Sequence, residues 1–311
     1  MIKPKALKFG DTIGVIAPAS PTTRGKVERS YNKLSDMGFK VKVGKSCYEN
    51  YGYLAGADKL RAEDLNYMFK DREVDGIICL RGGYGTPRIL DLLDYELIRN
   101  NPKVFIGYSD ISALHIAITK ISKLVTFHGP MVSSDMIGDF SDFSKENLYR
   151  MILKDEFNTG IIKNPIGEEI ETINGGVAEG SIIGGNLSLI VATLGTPYEI
   201  DLKGKILFIE EIGEEPYRID RMLTQLRLSG KLEQVEGIIL GDFNNCEAKR
   251  SEYENSLTLK QVIEDIIKPT GKPAISNFKA GHCEPMVTLP FGIKANLNGD
   301  KGELTILERP V

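Results

Sequence analysis

Ser109, Glu210 and His282 are the residues whose surroundings could support nucleophilic chemistry. Ser109 follows the apolar run Val104-Phe105-Ile106-Gly107 and Tyr108, and it precedes Asp110 and the helical-looking stretch 111–118. A serine at a sharp strand-to-helix turn exposes its hydroxyl beside the free backbone N–H groups of a helix start. Attack on a carbonyl needs that pairing, because the developing oxyanion must be held. The Gly-x-Ser-x-Gly pattern is met in part, since Ile111 stands at its last position. A serine that only caps a helix fits the same residues. Glu210 follows directly on the apolar run Lys205-Ile206-Leu207-Phe208-Ile209. At such a strand end a carboxylate can be partly buried, and a buried carboxylate needs a partner. A histidine would serve. His282 sits in Gly281-His282-Cys283-Glu284-Pro285, where a plain surface-loop histidine is the alternative. His128, in Thr126-Phe127-His128-Gly129-Pro130, competes on the same footing, whereas His115 lies on an apolar helix and is expected to pack. Such triads are defined by geometry and not by chain order, so the sequence nominates these three residues without joining them.

The turn Arg81-Gly82-Gly83-Tyr84-Gly85 follows another apolar run. It is not a phosphate loop, since it lacks the Gly-x-x-x-x-Gly-Lys-Ser/Thr pattern and comes after the third strand instead of the first. Glycines there let backbone N–H groups approach a ligand closely. Gly83 is therefore a candidate oxyanion donor, with a turn that needs positive φ as the equal alternative.

Composition excludes several classes. The chain has 311 residues, 41% hydrophobic and 26% charged, with a formal net charge of -4 and no long basic run. That length allows two domains, and the charge offers no footprint for nucleic acid. No window approaches the apolar length of a membrane span. The N-terminal lysines are not followed by the apolar segment of a signal peptide, so a cytoplasmic location is expected. Cys47, Cys79, Cys246 and Cys283 are scattered with no Cys-x-x-Cys pair, and the histidines number three. They read as reduced thiols, and no metal and no cofactor is expected.

The elements that must position these residues alternate along the first half. Strands are predicted over 12–17, 40–43, 76–80 and 104–107, and helices over about 24–37, 57–70 and 86–99. That alternation predicts an α/β fold with a doubly wound parallel sheet and right-handed crossovers. Ligands of such sheets sit beyond the carboxyl ends of the strands, where both Arg81–Gly85 and Gly107–Asp110 fall. Residues 133–170 read as a connection, which divides the chain into an N-terminal α/β domain over 1–160 and a β-rich α/β domain over 170–311. In the second part the glycines at 175–185 are expected to precede a helix running to about 194 and to serve its packing. Further strands are predicted at 205–209, 237–241 and 273–275, with helices at about 218–228 and 257–267. Residues 293–297 and 302–307 read as a hairpin around Asn298-Gly299-Asp300.

Several motifs carry a family resemblance. They are Arg81-Gly82-Gly83-Tyr84-Gly85, Gly107-Tyr108-Ser109-Asp110 and Gly184-Gly185-Asn186-Leu187-Ser188, then Phe208-Ile209-Glu210-Glu211 running into Pro216-Tyr217-Arg218-Ile219-Asp220-Arg221, and Gly281-His282. In that order, with Pro18-Ala19-Ser20 after the first strand, they resemble the LD-carboxypeptidases, serine peptidases that act on muramoyl tetrapeptides. The same family takes in the self-immunity peptidases that inactivate microcin C. The resemblance spans nearly the whole chain. It implies a cleft between the two domains that holds a Ser-Glu-His triad, with Ser109 as nucleophile, Glu210 as the group that orients the base and His282 as base and then acid. The adjacent Glu211 competes with Glu210, since a one-residue shift along a strand turns a side chain to the other face. Cys283 stands where relatives often have glycine. The implied oxyanion donors are the backbone N–H groups of Asp110 and of a glycine in the 81–85 turn, here Gly83. Arg81 and Tyr84 are assigned to the substrate, with Arg88 a second arginine for its terminal carboxylate. The resemblance also implies a murein tetrapeptide losing its terminal D-alanine through an acyl-enzyme, and a homodimer. A peptidyl- or aminoacyl-nucleotide substrate, a two-lobed binding protein without turnover, and a cysteine-dependent amidotransferase-like hydrolase are the alternatives. The last is the weakest, because none of the four cysteines sits at a strand-to-helix turn.

Overall fold

The computed structural model describes residues 1–154, 160–248 and 256–311. Its first sheet is built as the alternation predicts. Strands β1 (Thr12–Ile16), β2 (Lys40–Val43), β3 (Gly76–Cys79), β4 (Val104–Gly107) and β5 (Thr126–His128) run parallel. They are joined through helices α1 (Arg24–Asp36), α2 (Asp58–Lys70), α3 (Tyr95–Asn100) and α4 (Ser112–Ala117). Strands β3, β4 and β5 are buried throughout, which is why they read as unbroken apolar runs. Helix α1 starts where the Thr23 side chain accepts the Lys26 N–H. After β5 comes α5 (Asp142–Ile152), capped by the Ser141 hydroxyl, which accepts the Ser144 N–H.

The second sheet contains, among the described residues, β6 (Gly160–Ile162), β7 (Glu171–Asn174), β8 (Val177–Asn186), β9 (Lys205–Ile212), β10 (Gly237–Asn244) and β11 (Ala274–Ser276). Helices α6 (Leu187–Ala192), α7 (Pro216–Leu228), α8 (Lys231–Gln234) and α9 (Leu259–Ile266) lie between them. Strand β12 (Leu289–Phe291) follows, and β13 (Lys294–Asn298) and β14 (Glu303–Ile306) form the expected hairpin. The order across this sheet is β6-β14-β13-β8-β9-β10-β11-β7, with β8 to β11 parallel at its centre.

Strand β12 does not join that sheet. It pairs antiparallel with β5, placing Leu289 opposite His128, and completes the first sheet in the order β12-β5-β4-β3-β1-β2. The chain therefore crosses between the sheets three times, from β5 to β6, from β11 to β12 and from β12 to β13, and the second crossing, residues 277–288, carries His282. Part of the 170–311 stretch thus belongs to the first body, while β6, inside the expected 133–170 connection, belongs to the second sheet. Residues 155–159 of that connection lie outside the described residues.

Three other expectations are corrected. The helix predicted over 86–99 is a tight 3₁₀ segment over 86–92 followed by α3, because the Asp94 side chain caps a new start by accepting the Leu97 N–H. The glycines before α6 form β8, a ten-residue strand. Gly184 and Gly185 adopt φ of 153° and 130°, and a Cβ on Gly184 would strike the Phe208 carbonyl of β9 at 1.8 Å. A Cβ on Gly185 would meet Ser112 Oγ of α4 at 2.3 Å. Those glycines let β8 press on α4, and the Asn186 N–H donates to Ser112 Oγ at 2.9 Å. Finally, β9 and β10 each run three residues beyond the predicted end, to Ile212 and Asn244.

Candidate active site

The turn at Ser109 is strained. Ser109 has φ of 64°, one of four non-glycine residues with positive φ among the described residues. Non-glycine residues are rare there, and the cost of order 1–3 kcal/mol is tolerated mainly at functional turns. Gly107 makes room for the turn, since a Cβ on it would lie 2.9 Å from Ile111. Ser109 is half-buried, and α4 behind it is wholly buried.

Glu210 and His282 meet. Nδ1 of His282 lies 2.6 Å from Oε2 of Glu210, whose side chain is fully buried two residues before the end of β9. Gly281, with φ of 108°, brings the loop against that carboxylate, and a Cβ there would stand 2.7 Å from Glu210 Cβ. Asn244 Nδ2 donates to the His282 carbonyl at 2.7 Å, which fixes the loop from β10. The other face of the imidazole meets the Tyr108 ring edge-on, with centroids 4.9 Å apart. Tyr108 precedes Ser109, so one side chain links the Ser109 turn to His282. Its hydroxyl donates to Asp135 Oδ1 at 2.9 Å, and Asp135 Oδ2 accepts the Met131 N–H at 2.7 Å.

Burial disfavours the His282 imidazolium. The Glu210 hydrogen bond and charge, with Glu211 and Asp135 beyond, outweigh it and hold the pKa above its ordinary value. Burial pushes Asp110 and Asp135 up to about 6, against their hydrogen bonds.

Glu211 has a different environment. Asn186 Nδ2 and the Ile212 N–H donate to its Oε1 at 2.8 and 2.9 Å, and the Ser188 N–H and hydroxyl donate to its Oε2 at 2.8 and 2.7 Å. It fastens β9 to the start of α6. His115 and His128 are fully buried. His115 Nε2 bonds the Gly107 carbonyl at 2.8 Å, while neither ring nitrogen of His128 has a partner.

The glycine turn at the end of β3 lies against the serine. A Cβ on Gly82 would stand 3.0 Å from Ser109 Oγ and 3.5 Å from the Asp110 nitrogen. The Gly82 carbonyl accepts from Ser20 N–H at 3.4 Å and Arg81 Nε at 3.3 Å. In a trans peptide the next N–H is anti to the carbonyl, so the Gly83 N–H points away from that side. Arg81 also donates to the Pro21 carbonyl at 3.3 Å. Arg88 is committed to Asp58, through Nε at 3.0 Å to each carboxylate oxygen and Nη2 at 2.8 Å to one. Tyr84 is exposed, edge-on to the exposed Tyr53 with centroids 5.7 Å apart. Among the described residues no group of three or more His, Cys, Asp or Glu could hold a metal ion. Among them, too, no helix is long and apolar enough to cross a membrane.

Sequence reasoning did not find Tyr108 and Asp135. Tyr108 had one signal, its place beside Ser109. Asp135 had none, since it lies in a turn-rich stretch far from the other site residues in sequence.

Models of the LD-carboxypeptidase N-terminal and C-terminal domains match residues 13–129 and 179–297. The chain belongs to the LD-carboxypeptidase family. It is accordingly a hydrolase of the peptidase class. A probable murein peptide carboxypeptidase of Bacillus subtilis (strain 168) is 48% identical over 297 residues, 95% of this chain and 91% of that protein. The crystal structure of a muramoyltetrapeptide carboxypeptidase from Oxalobacter formigenes superposes on this LD-carboxypeptidase family member with a TM-score of 0.82 at 30% identity, covering 96% of this chain and all of that one. The microcin C7 self-immunity protein MccF of Escherichia coli is 29% identical over 97% of this chain and 95% of its own length. A structure of MccF with glutamyl sulfamoyl guanosine has a TM-score of 0.91 at 25% identity, with both chains fully covered.

Proposed function

We propose that the chain releases a terminal D-amino acid, D-alanine, from murein tetrapeptides by a serine mechanism. The observation that carries this reading is the strained Ser109 turn linked through Tyr108 to the His282–Glu210 pair. Glu210 accepts the Nδ1 proton and leaves Nε2 of His282 as the base. His282 takes the Ser109 proton as Oγ attacks the amide carbonyl, then returns it to the departing amine. Water, activated by the same nitrogen, hydrolyses the acyl-enzyme. The backbone N–H groups of Asp110 and Gly83 hold the oxyanion, and losing one such donor typically costs about 10²–10³-fold in rate. The free face of Arg81 receives the substrate's terminal carboxylate, and Tyr84 flanks it. A cytoplasmic homodimer and a boundary between the two domains near residues 160–170 belong to the same reading.

The substrate is drawn from the named murein carboxypeptidases among the relatives. The likeness to MccF favours a second reading, cleavage of an aminoacyl- or peptidyl-nucleotide at the same triad. The deciding assay is D-alanine release from a tetrapeptide ending in L-Lys–D-Ala or diaminopimelate–D-Ala by wild type, Ser109→Ala and His282→Ala. Release abolished in both variants supports the first reading. Activity that survives Ser109→Ala removes the nucleophile, and wild type that cleaves only an aminoacyl sulfamoyl nucleoside analogue or its phosphate counterpart selects the second.

A further inference from the structure

A single peptide unit at the end of the glycine turn is gripped from both sides by buried, oppositely charged side chains. The Gly85 carbonyl accepts from Arg61 Nη1 at 2.9 Å, and the Thr86 N–H of the same peptide donates to Asp110 Oδ2 at 2.8 Å. Arg61 and Asp110 are 0% and 1% exposed. Arg61 also holds the Pro18 carbonyl and pairs with Asp58, so it ties the loops after β1 and β3 together. The Thr86 hydroxyl donates to the Asp110 carbonyl, which doubles the link to the nucleophile turn. On the near side, Ser20 Oγ accepts the Tyr84 N–H at 3.1 Å.

Such restraint matters because of what the turn contains. Gly83 and Gly85 have φ of 116° and 138°. Peptides flanked by glycine reorient at little cost, whereas an oxyanion hole works only when its donors are fixed beforehand. At Gly85 the fit is close, since a Cβ would meet Arg61 Nη1 at 2.8 Å and Leu54 at 2.7 Å. Asp110 follows the nucleophile directly. Its own N–H and the glycine-turn N–H groups are therefore joined through one side chain, running from the Asp110 backbone to the Thr86 amide.

We propose that the Asp110 carboxylate and Arg61 are positioning residues that set the two halves of the oxyanion hole against each other by clamping the Gly85–Thr86 peptide. The inference rests on Ser109 being the nucleophile, and it is independent of the substrate. Asp110→Ala keeps the backbone N–H and removes the clamp. Asp110→Asn keeps an oxygen that can accept the Thr86 N–H. Thr86→Val keeps that N–H and removes only the hydroxyl bond.

The test measures kcat and KM for the tetrapeptide, the rate at which a fluorophosphonate labels Ser109, and thermal unfolding of each variant. In labelling, Oγ bonds to phosphorus as fluoride leaves, and the hydroxyl proton passes to His282. Asp110→Ala should lower kcat and the labelling rate by about 10–100-fold, part of the typical value of a lost oxyanion donor, with KM within about twofold. Asp110→Asn should recover most of the loss, and Thr86→Val should lose less than Asp110→Ala. Should wild type label at Ser109 yet release no D-alanine, the murein reading fails while the labelling rates still judge the clamp. Folded Asp110→Ala and Thr86→Val with wild-type labelling rates would overturn it, as would a loss confined to KM.

Discussion

His282 Nδ1 lies 2.6 Å from Glu210 Oε2, and the second oxygen of that carboxylate, Oε1, is buried without a partner. The carboxylate is thus held for the imidazole alone. A buried acceptor with one partner gains most when that partner becomes charged, which is the state His282 would reach on taking the Ser109 proton in the proposed mechanism.

The first prediction follows from the sign of the His282 shift. Its pKa is raised, so the neutral base is present only above a pH higher than that of an ordinary histidine. The acid limb of kcat/KM should sit there. In Glu210→Gln the burial contribution is left less opposed, so the limb should move to lower pH. The rate at the plateau should fall by about 10³–10⁴-fold, because the amide no longer selects the working tautomer. A pH–rate profile checks both, and an unmoved limb would remove Glu210 as the partner of the base.

Glu211→Gln separates the two adjacent acids. Four donors converge on Glu211, and an amide would turn a donor of its own toward one pair of them. Stability should fall by about 1–3 kcal/mol, read by denaturant unfolding, while the acid limb of activity keeps its position. A shifted limb with unchanged stability would instead make Glu211 the orienting acid.

Much of the first sheet was legible because its strands are buried on both faces and its helices carry caps and breakers, as Thr23 and Gly38 do for α1. Ser109 was legible as a turn for the same reason. Strand β12 was not, since three residues around Pro290 give no period, and their place follows from a pairing to β5 far away in the chain. The glycines of β8 read as packing before a helix, but they permit a strand whose neighbours come closer than a Cβ allows. The choice of Glu210 over Glu211 was open because adjacent residues on a strand differ only in facing. The loop that carries His282 between the sheets settles which face meets it.

Gly281→Ala tests how tightly that loop is held. The residue has φ of 108°, and its new Cβ would stand 2.7 Å from Glu210 Cβ and 2.8 Å from its Oε2. Both the backbone and the carboxylate must move, at a cost of about 1–3 kcal/mol. Stability and kcat should fall together, with the His282–Glu210 bond displaced. Wild-type kcat in this variant would show that activity does not depend on the seating of the loop against Glu210.

His128 supplies a prediction about acid stability. It is fully buried among Tyr108, Phe208 and Phe291, and burial depresses its pKa well below the ordinary value. His115 beside it is pushed down to about 4. Both are neutral when folded, whereas the unfolded chain takes up protons below about pH 6.5. Their contribution is therefore complete above that pH and is lost as pH falls toward the depressed folded values. Replacing His128 by leucine removes two unpartnered nitrogens without breaking a hydrogen bond. At pH 7 stability should hold or rise by about 1 kcal/mol, and its decline between pH 6.5 and 4 should become shallower, leaving the share due to His115. Urea unfolding at a series of pH values measures the slope. A decline as steep as that of the wild type would mean that His128 does not contribute to it.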